Sequence, residues 1–179
     1  DLLRASVFAW VTAERPLVAA TPTFETPVRT AGALRMPVRM VPLTPALTID
    51  LDRMAEQGHG AGLVYVCNPD NPTGTFHPKT AIVSFIERIA AASPETVVMI
   101  DEAYFDCADD PTYGSVASLA AERRNLVVLR TFSKIHGLAG MRIGYAIGHP
   151  DTLERLRLCA GSGTLACASV AAAIASLDD

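Results

Sequence analysis

A lysine among apolar and small residues is the first group in this sequence that could do chemistry. Lys134 is one of only two lysines in the 179-residue chain and lies eight positions before Arg142. We expect these apolar surroundings to desolvate Lys134, which would lower the pKa of its amine and favour the neutral form that attacks carbonyl groups. Thr131 and Ser133 add hydroxyls nearby, and the guanidinium fork of Arg142 suits a phosphate group. A lone lysine is usually a surface side chain, but these three neighbours favour a functional lysine.

A second polar segment, NPDNPTG at 68–74, follows the apolar run 63–67. Two Asn/Asp-Pro steps and a final glycine predict a rigid turn, from which the amides of Asn68 and Asn71 can donate hydrogen bonds outward. The same composition also fits a plain strand-to-helix connection. The full string is more specific than that composition.

A third segment, DEAY at 101–104, ends the apolar run 97–100. We expect Asp101 to face a cationic ligand atom, with the phenol of Tyr104 one short turn away. The alternative is that the two acids only cap the next segment.

Short apolar runs predict six buried strands, at 17–20, 38–43, 63–67, 97–100, 126–129 and 143–147. Between them lie helical patterns at 49–57, 116–123 and 152–158, and a clear apolar face formed by Ile82, Phe85, Ile86 and Ile89 after Pro78. Alternating strands and helices predict an α/β fold, a three-layer α/β/α domain with a mostly parallel sheet. Ligands of such sheets gather at the carboxyl ends of the strands.

The three polar segments each follow a predicted strand, so we expect them to converge on one ligand. Together they offer a carboxylate, an amide donor, a phenol, an amine and a phosphate-binding cluster. These groups match the needs of pyridoxal 5'-phosphate.

Composition excludes several other functions. The net charge of -4 comes from 19 acidic and 15 basic residues without a long run of either sign, which argues against nucleic-acid and membrane partners. Four cysteines and four histidines show no CxxC or HxxxH spacing, so neither a metal nor a disulfide framework is predicted. The apolar stretch 165–177 is too short to span a bilayer. We therefore expect a reducing, cytoplasmic compartment.

NPDNPTG, DEAY and SKIHGLAGMRIGY together resemble the fold type I pyridoxal-phosphate enzymes, in particular class I/II aminotransferases of the histidinol-phosphate aminotransferase type. The resemblance implies that Lys134 forms the internal aldimine and that Asp101 pairs with the pyridine nitrogen. It places Asn71 and Tyr104 at the ring hydroxyl. It implies that the phosphate is held by Arg142, Ser133 and Thr131. It also implies that Phe24 stacks on the ring.

The resemblance also implies the reaction and the partners. It predicts transfer of an amino group from an amino acid or histidinol-phosphate-like amine to a 2-oxo acid, in a homodimer. The family's N-terminal arm, glycine-containing phosphate loop and C-terminal small domain are not matched, so residues 1–179 are expected to be an incomplete large cofactor-binding domain. Phe24 stands where the family often has tyrosine. Phenylalanine keeps the stacking on the ring and lacks the hydroxyl.

Other functions stay open at this point. The same cofactor site also serves amino-acid phosphate decarboxylases, lyases and cyclases, and the fold occurs as a non-catalytic effector-binding module. A nucleotide-binding domain is disfavoured because GxGxxG and GxxxxGK[ST] are missing.

Two further features are open to a functional interpretation. The segment 161–164 (GSGT) could bind an anion but is interpreted as a loop. Cys67 and Cys107 are interpreted as small core residues rather than reactive thiols.

Overall fold

A six-stranded sheet forms the centre of the computed structural model, which describes residues 2–161 and 165–178. The strand order is β2-β1-β3-β4-β5-β6, and every neighbouring pair is parallel except β5 and β6. This confirms the predicted α/β fold with a mostly parallel sheet. The strands are β1 (Leu17–Thr21), β2 (Val38–Pro42), β3 (Leu63–Cys67), β4 (Val97–Asp101), β5 (Leu126–Thr131) and β6 (Gly144–Ile147).

Helices cover both faces of the sheet. They are α1 (Leu2–Trp10), α2 (Thr26–Ala33), α3 (Leu51–Gln57), α4 (Lys79–Ala92), α5 (Ala117–Ala120), α6 (Pro150–Cys159) and α7 (Cys167–Leu177). One core cluster packs α3, α4 and α5 on the sheet, and a second packs α1, α2 and α6 on the opposite face. The predicted three layers are therefore present.

The central strands bury both faces, as their continuous apolar sequences predict. Every residue of β3 and β4 is buried. The prediction of buried strands is wrong for β2 and β6, because only Val41 of β2 and no residue of β6 is buried. Both strands lie at the edges of the sheet formed by the described residues, where a strand has a neighbouring strand on one side only.

The helical patterns were predicted with uneven success. In α4 the four residues of the predicted apolar face, Ile82, Phe85, Ile86 and Ile89, are the buried ones. The pattern at 116–123 forms only the short α5, and the turn after it ends in the loop before β5. No apolar periodicity predicted α2, in which only Pro27 and Ala31 are buried.

Gly62, just before β3, allows a close approach of two backbone segments and provides a test of the fold. A Cβ at this position would lie 2.0 Å from the carbonyl oxygen of Trp10. We expect Gly62→Ala to lower the free energy of unfolding by roughly 3 kcal/mol, since backbone cannot give way as a flexible side chain does. Urea unfolding of the protein at its native length measures the change.

Gly32→Ala is the matched control, because a Cβ on Gly32 in α2 would meet nothing within 4 Å. Alanine is the better helix former by about 1 kcal/mol, so this variant should be as stable as the parent or more stable. Equal urea midpoints for the two variants would contradict the close approach at Gly62.

Candidate active site

The three polar segments of the sequence meet at one edge of the sheet. They follow β3, β4 and β5, which are adjacent parallel strands, so their carboxyl ends lie side by side. A cavity of about 700 Å³ opens there. All eight predicted site residues line it: Phe24, Asn71, Asp101, Tyr104, Thr131, Ser133, Lys134 and Arg142.

Asp101 lies at the deepest point of this group, at the end of β4, and is 6% exposed. Its Oδ1 accepts the backbone N–H of Ala103 at 3.1 Å, and its Oδ2 accepts the phenol of Tyr65 at 3.0 Å. Burial raises the pKa of Asp101 to about 6, although both hydrogen bonds and the charge of Lys134 oppose the rise. The carboxyl group therefore changes charge close to neutral pH.

Asn71, Tyr104 and Lys134 form a second group on the wall of the cavity. The Asn71 amide Nδ2 donates to the Tyr104 hydroxyl at 3.1 Å. The Lys134 Nζ lies 4.9 Å from the centroid of the Tyr104 ring. A cation over an aromatic face is attracted by the ring quadrupole, so Tyr104 connects the amide of one loop with the amine of another.

The hydroxyls of Thr131 and Ser133 meet at the end of β5. Thr131 Oγ1 lies 2.9 Å from Ser133 Oγ and accepts the backbone N–H of Ser133 at 3.1 Å. Arg142 has a left-handed backbone with φ of 50° and donates from Nη1 to the carbonyl of Ala139. Such a backbone is unfavourable for a residue other than glycine and often marks a functional position.

Two expectations about individual side chains are wrong. Lys134 is exposed rather than desolvated, because the chain beyond β5 leaves the sheet in turns and its apolar neighbour Ile135 is 57% exposed. Asn68 does not point its amide outward. It donates to the carbonyl of His77 and accepts the His77 N–H, which closes the loop on itself.

Asp70 is a residue whose role the sequence did not reveal. It is 4% exposed and accepts the hydroxyls of Thr23 and Thr73 at 2.9 and 3.0 Å. Burial raises the pKa of Asp70, and the two hydroxyls oppose that rise. This carboxylate joins the segment before Phe24 to the loop that carries Asn71. An acid between two prolines is the signal that the sequence offers, and it predicts only a turn residue.

Glu102 has a similar role in the next loop. It accepts two hydrogen bonds from Arg130 at 3.0 Å and one from Ser115 at 2.8 Å. It also accepts the N–H of Val116, the residue before α5. The alternative that the two acids cap the next segment is not supported, because neither the 3-10 turn Phe105–Cys107 nor α5 has a side-chain cap. The guanidinium carbon of Arg130 lies 4.1 Å from the centroid of the Phe105 ring. Glu102 thereby ties the loop of Tyr104 to β5.

The remaining predicted features have mixed outcomes. Cys67 is buried as expected, whereas Cys107 is exposed because it lies in a short 3-10 turn outside the core. The GSGT segment falls largely on residues 162–164, outside the described residues. Across the described ranges, no three His, Cys, Asp or Glu side chains are grouped to hold a metal ion. None of the described helices is long and apolar enough to cross a membrane.

A mostly parallel α/β sheet with an amine, a buried carboxylate, a phenol and an arginine lining one cavity defines an α/β domain with a candidate ligand site. Residues 2–179 match the family described as aminotransferase class I and II, and the chain belongs to that family. This confirms the resemblance seen in the sequence motifs.

Individual relatives agree with the family assignment. The chain is 41% identical over 143 residues to a histidinol-phosphate aminotransferase of Bacillus cytotoxicus, covering 79% of this chain and 38% of the relative. It is 45% identical over 152 residues to an aromatic amino acid aminotransferase of Mycobacterium tuberculosis, covering 84% and 41%. The chain thus spans about two fifths of the length of these curated relatives.

A solved structure extends the similarity to the whole chain. It is histidinol-phosphate aminotransferase from Sinorhizobium meliloti in complex with pyridoxal-5'-phosphate. The TM-score is 0.88 at 31% identity, and the match covers 100% of this chain and 48% of that one.

The raised pKa of Asp101 predicts a measurable pH dependence of stability in the cofactor-free protein. The folded pKa of about 6 exceeds the ordinary value of 3.8, so the folded state binds more protons between these values and stability falls as pH rises through them. We expect Asp101→Asn to flatten this fall and to stabilise the protein at pH 7 by roughly 2 to 3 kcal/mol. Urea unfolding across pH 4 to 8 measures it.

Asp110→Asn is the control, because hydrogen bonds from Thr112 lower the pKa of that exposed carboxyl. This variant should leave the fall in stability between pH 4 and 6 in place. An Asp101→Asn protein less stable than its parent at pH 7 would show that the buried carboxylate stabilises the fold.

Proposed function

We propose that the protein is a pyridoxal-phosphate-dependent aminotransferase, which moves an amino group from an amino acid or histidinol-phosphate-like amine to a 2-oxo acid. The observation that carries this proposal is that all eight predicted site residues line one cavity of about 700 Å³. The family assignment and the names of the relatives support the reaction type.

The residues present fit pyridoxal phosphate. Asp101 offers a buried carboxylate to a protonated ring nitrogen, and ionic pairing favours the charged form of both partners. Asn71 and Tyr104 are hydrogen-bonded neighbours that suit a ring oxygen. Hydroxyl donors for a phosphate come from Thr131 and Ser133. A guanidinium donor comes from Arg142, which the family resemblance assigns to the phosphate.

When bound, pyridoxal phosphate carries the amino group between the two substrates and accepts the electrons released at the substrate Cα. In this proposal Lys134 would hold the cofactor through its amine and would serve as the group that moves the substrate Cα proton. Asp101 would keep the ring nitrogen protonated. Tyr104 would orient Lys134 through its ring and the ring oxygen through its hydroxyl.

The organisation around the site is also proposed. Residues 1–179 form most of the large cofactor-binding domain, since relatives of this family are more than twice as long. We place the protein in the cytoplasm, supported by four cysteines that are all free. A homodimer of the native protein accords with the family resemblance.

Covalent attachment at Lys134 is the first test. Borohydride treatment of the native-length protein with pyridoxal phosphate should leave a phosphopyridoxyl group on Lys134, because this amine lines the cavity. Peptide mass spectrometry locates the label. Lys79, whose backbone N–H bonds to the Thr112 carbonyl at the start of α4, is the internal control and should stay unlabelled. Label on Lys79 alone would refute the assignment.

Amino transfer is the second test. With histidinol phosphate or an aromatic amino acid as donor, the loaded protein should convert 2-oxoglutarate to glutamate, measured by chromatography. Lys134→Ala should lower the rate at least roughly a hundredfold, since the positioned proton-transfer group is lost. Lys79→Arg should keep the parental rate. Release of carbon dioxide without glutamate would identify a decarboxylase instead.

A further inference from the structure

We propose that Tyr65 is a positioning residue for Asp101: its buried phenol donates a hydrogen bond that keeps this carboxylate ionised and aimed at the ring nitrogen of the bound cofactor. This inference rests on the proposed function for the identity of the ligand. The coupling between the two side chains is a property of the chain itself and is testable without cofactor.

The geometry follows from the register of two parallel strands. Cys67 of β3 pairs with Asp101 of β4, and Tyr65 pairs with Met99. Side chains two apart share one face of a strand, so Tyr65 lies on the same face as Asp101 and one diagonal step away. Large side chains reach such diagonal neighbours. The Tyr65 hydroxyl ends 3.0 Å from Asp101 Oδ2.

Water cannot replace the hydrogen bond between Tyr65 and Asp101, because solvent does not reach the Tyr65 hydroxyl. Tyr65 is 0% exposed in a core cluster that is otherwise apolar. A buried hydroxyl or carboxylate without a partner costs several kcal/mol, so each side chain supplies what the other needs. The pKa of Tyr65 is raised by burial and by the nearby Asp101, which keeps the phenol protonated and able to donate.

Charged and titratable groups face Asp101 from the elements packed around it. Lys134, beyond β5, favours the ionised carboxylate, whereas the adjacent Glu102 disfavours it. The thiol of Cys67 donates to the carbonyl of Pro69 at 3.2 Å and also interacts with Tyr65 and with the charge of Asp101. Among the described residues, Tyr65 is the side chain that donates to Asp101, and Ala103 adds a backbone N–H.

The position of the two donors leaves one side of the carboxylate to the ligand. Oδ1 accepts from Ala103 and Oδ2 from Tyr65, while Asp101 still lines the cavity. An ionised carboxylate has about four acceptor sites, so room for a cationic N–H remains. Tyr65 lies outside the set of residues that line this cavity. It therefore acts on the ligand through Asp101 and not by contact.

The experiment compares Tyr65→Phe with the parent by carbon-13 NMR of aspartate carboxyl groups in the cofactor-free, native-length protein. Asp101→Asn identifies the Asp101 signal by its loss. A donor to the charged form lowers a carboxyl pKa, so removal of the hydroxyl should raise the Asp101 titration midpoint by about one pH unit or more. The midpoint of the acid limb in the pH profile of cofactor affinity should move to higher pH by the same amount.

Tyr113→Phe is the matched control. This phenol is half-buried and donates to the carbonyl of Asn68, away from Asp101. Its loss should leave the Asp101 midpoint in place. An unchanged midpoint in Tyr65→Phe, or an equal rise in Tyr113→Phe, would overturn the positioning role.

A second variant covers the case in which Tyr65→Phe does not fold. Site-specific 3-fluorotyrosine at position 65 keeps the ring and makes the phenol a stronger donor, so the Asp101 midpoint should fall. A midpoint that stays the same overturns the proposal. Failure of the proposed function is separate, because it shows as missing label on Lys134 while the cofactor-free titration still reports on Tyr65.

Discussion

Burial of one carboxylate is the constraint on which this site depends. Asp101 is 6% exposed at the end of a central strand, where an unpaired charge would be strongly unfavourable. Two donors, the backbone of Ala103 and the phenol of Tyr65, offset part of that cost. The cost that remains raises the pKa of Asp101 to about 6. A cationic ligand atom is the partner that would remove it, which ties the stability of this region to ligand binding.

The parallel pairing of β3, β4 and β5 brings the loops of this site together. Only adjacent parallel strands bring several carboxyl ends, and the loops that follow them, to one edge. Each of the first two loops is held by its own buried acid, Asp70 after β3 and Glu102 after β4. These acids are satisfied within the protein by hydroxyls, a backbone N–H and Arg130. Asp101 differs from them because it still faces the cavity.

Sequence reasoning predicted what depends on local pattern and missed what depends on neighbours. The continuous apolar runs of β3 and β4 and the periodic face of α4 specify their own burial, so these elements were predicted closely. The exposure of β2 and β6 depends on strand order, which no single segment encodes. Lys134 is a similar case, since apolar neighbours in sequence desolvate an amine only where the chain folds them around it.

The site residues differ in burial in a way that fits their proposed tasks. Tyr65, Cys67 and Asp101 are buried beneath the cavity, whereas Lys134 and Arg142 are exposed. A ring nitrogen needs one invariant partner, so a rigid carboxylate suits it. A lysine that must release its ligand and then transfer a proton needs room to move. In the proposed function the cofactor stays bound while its covalent link to the protein is broken and remade. Buried residues beneath the cavity and exposed cationic side chains at its rim fit these two requirements.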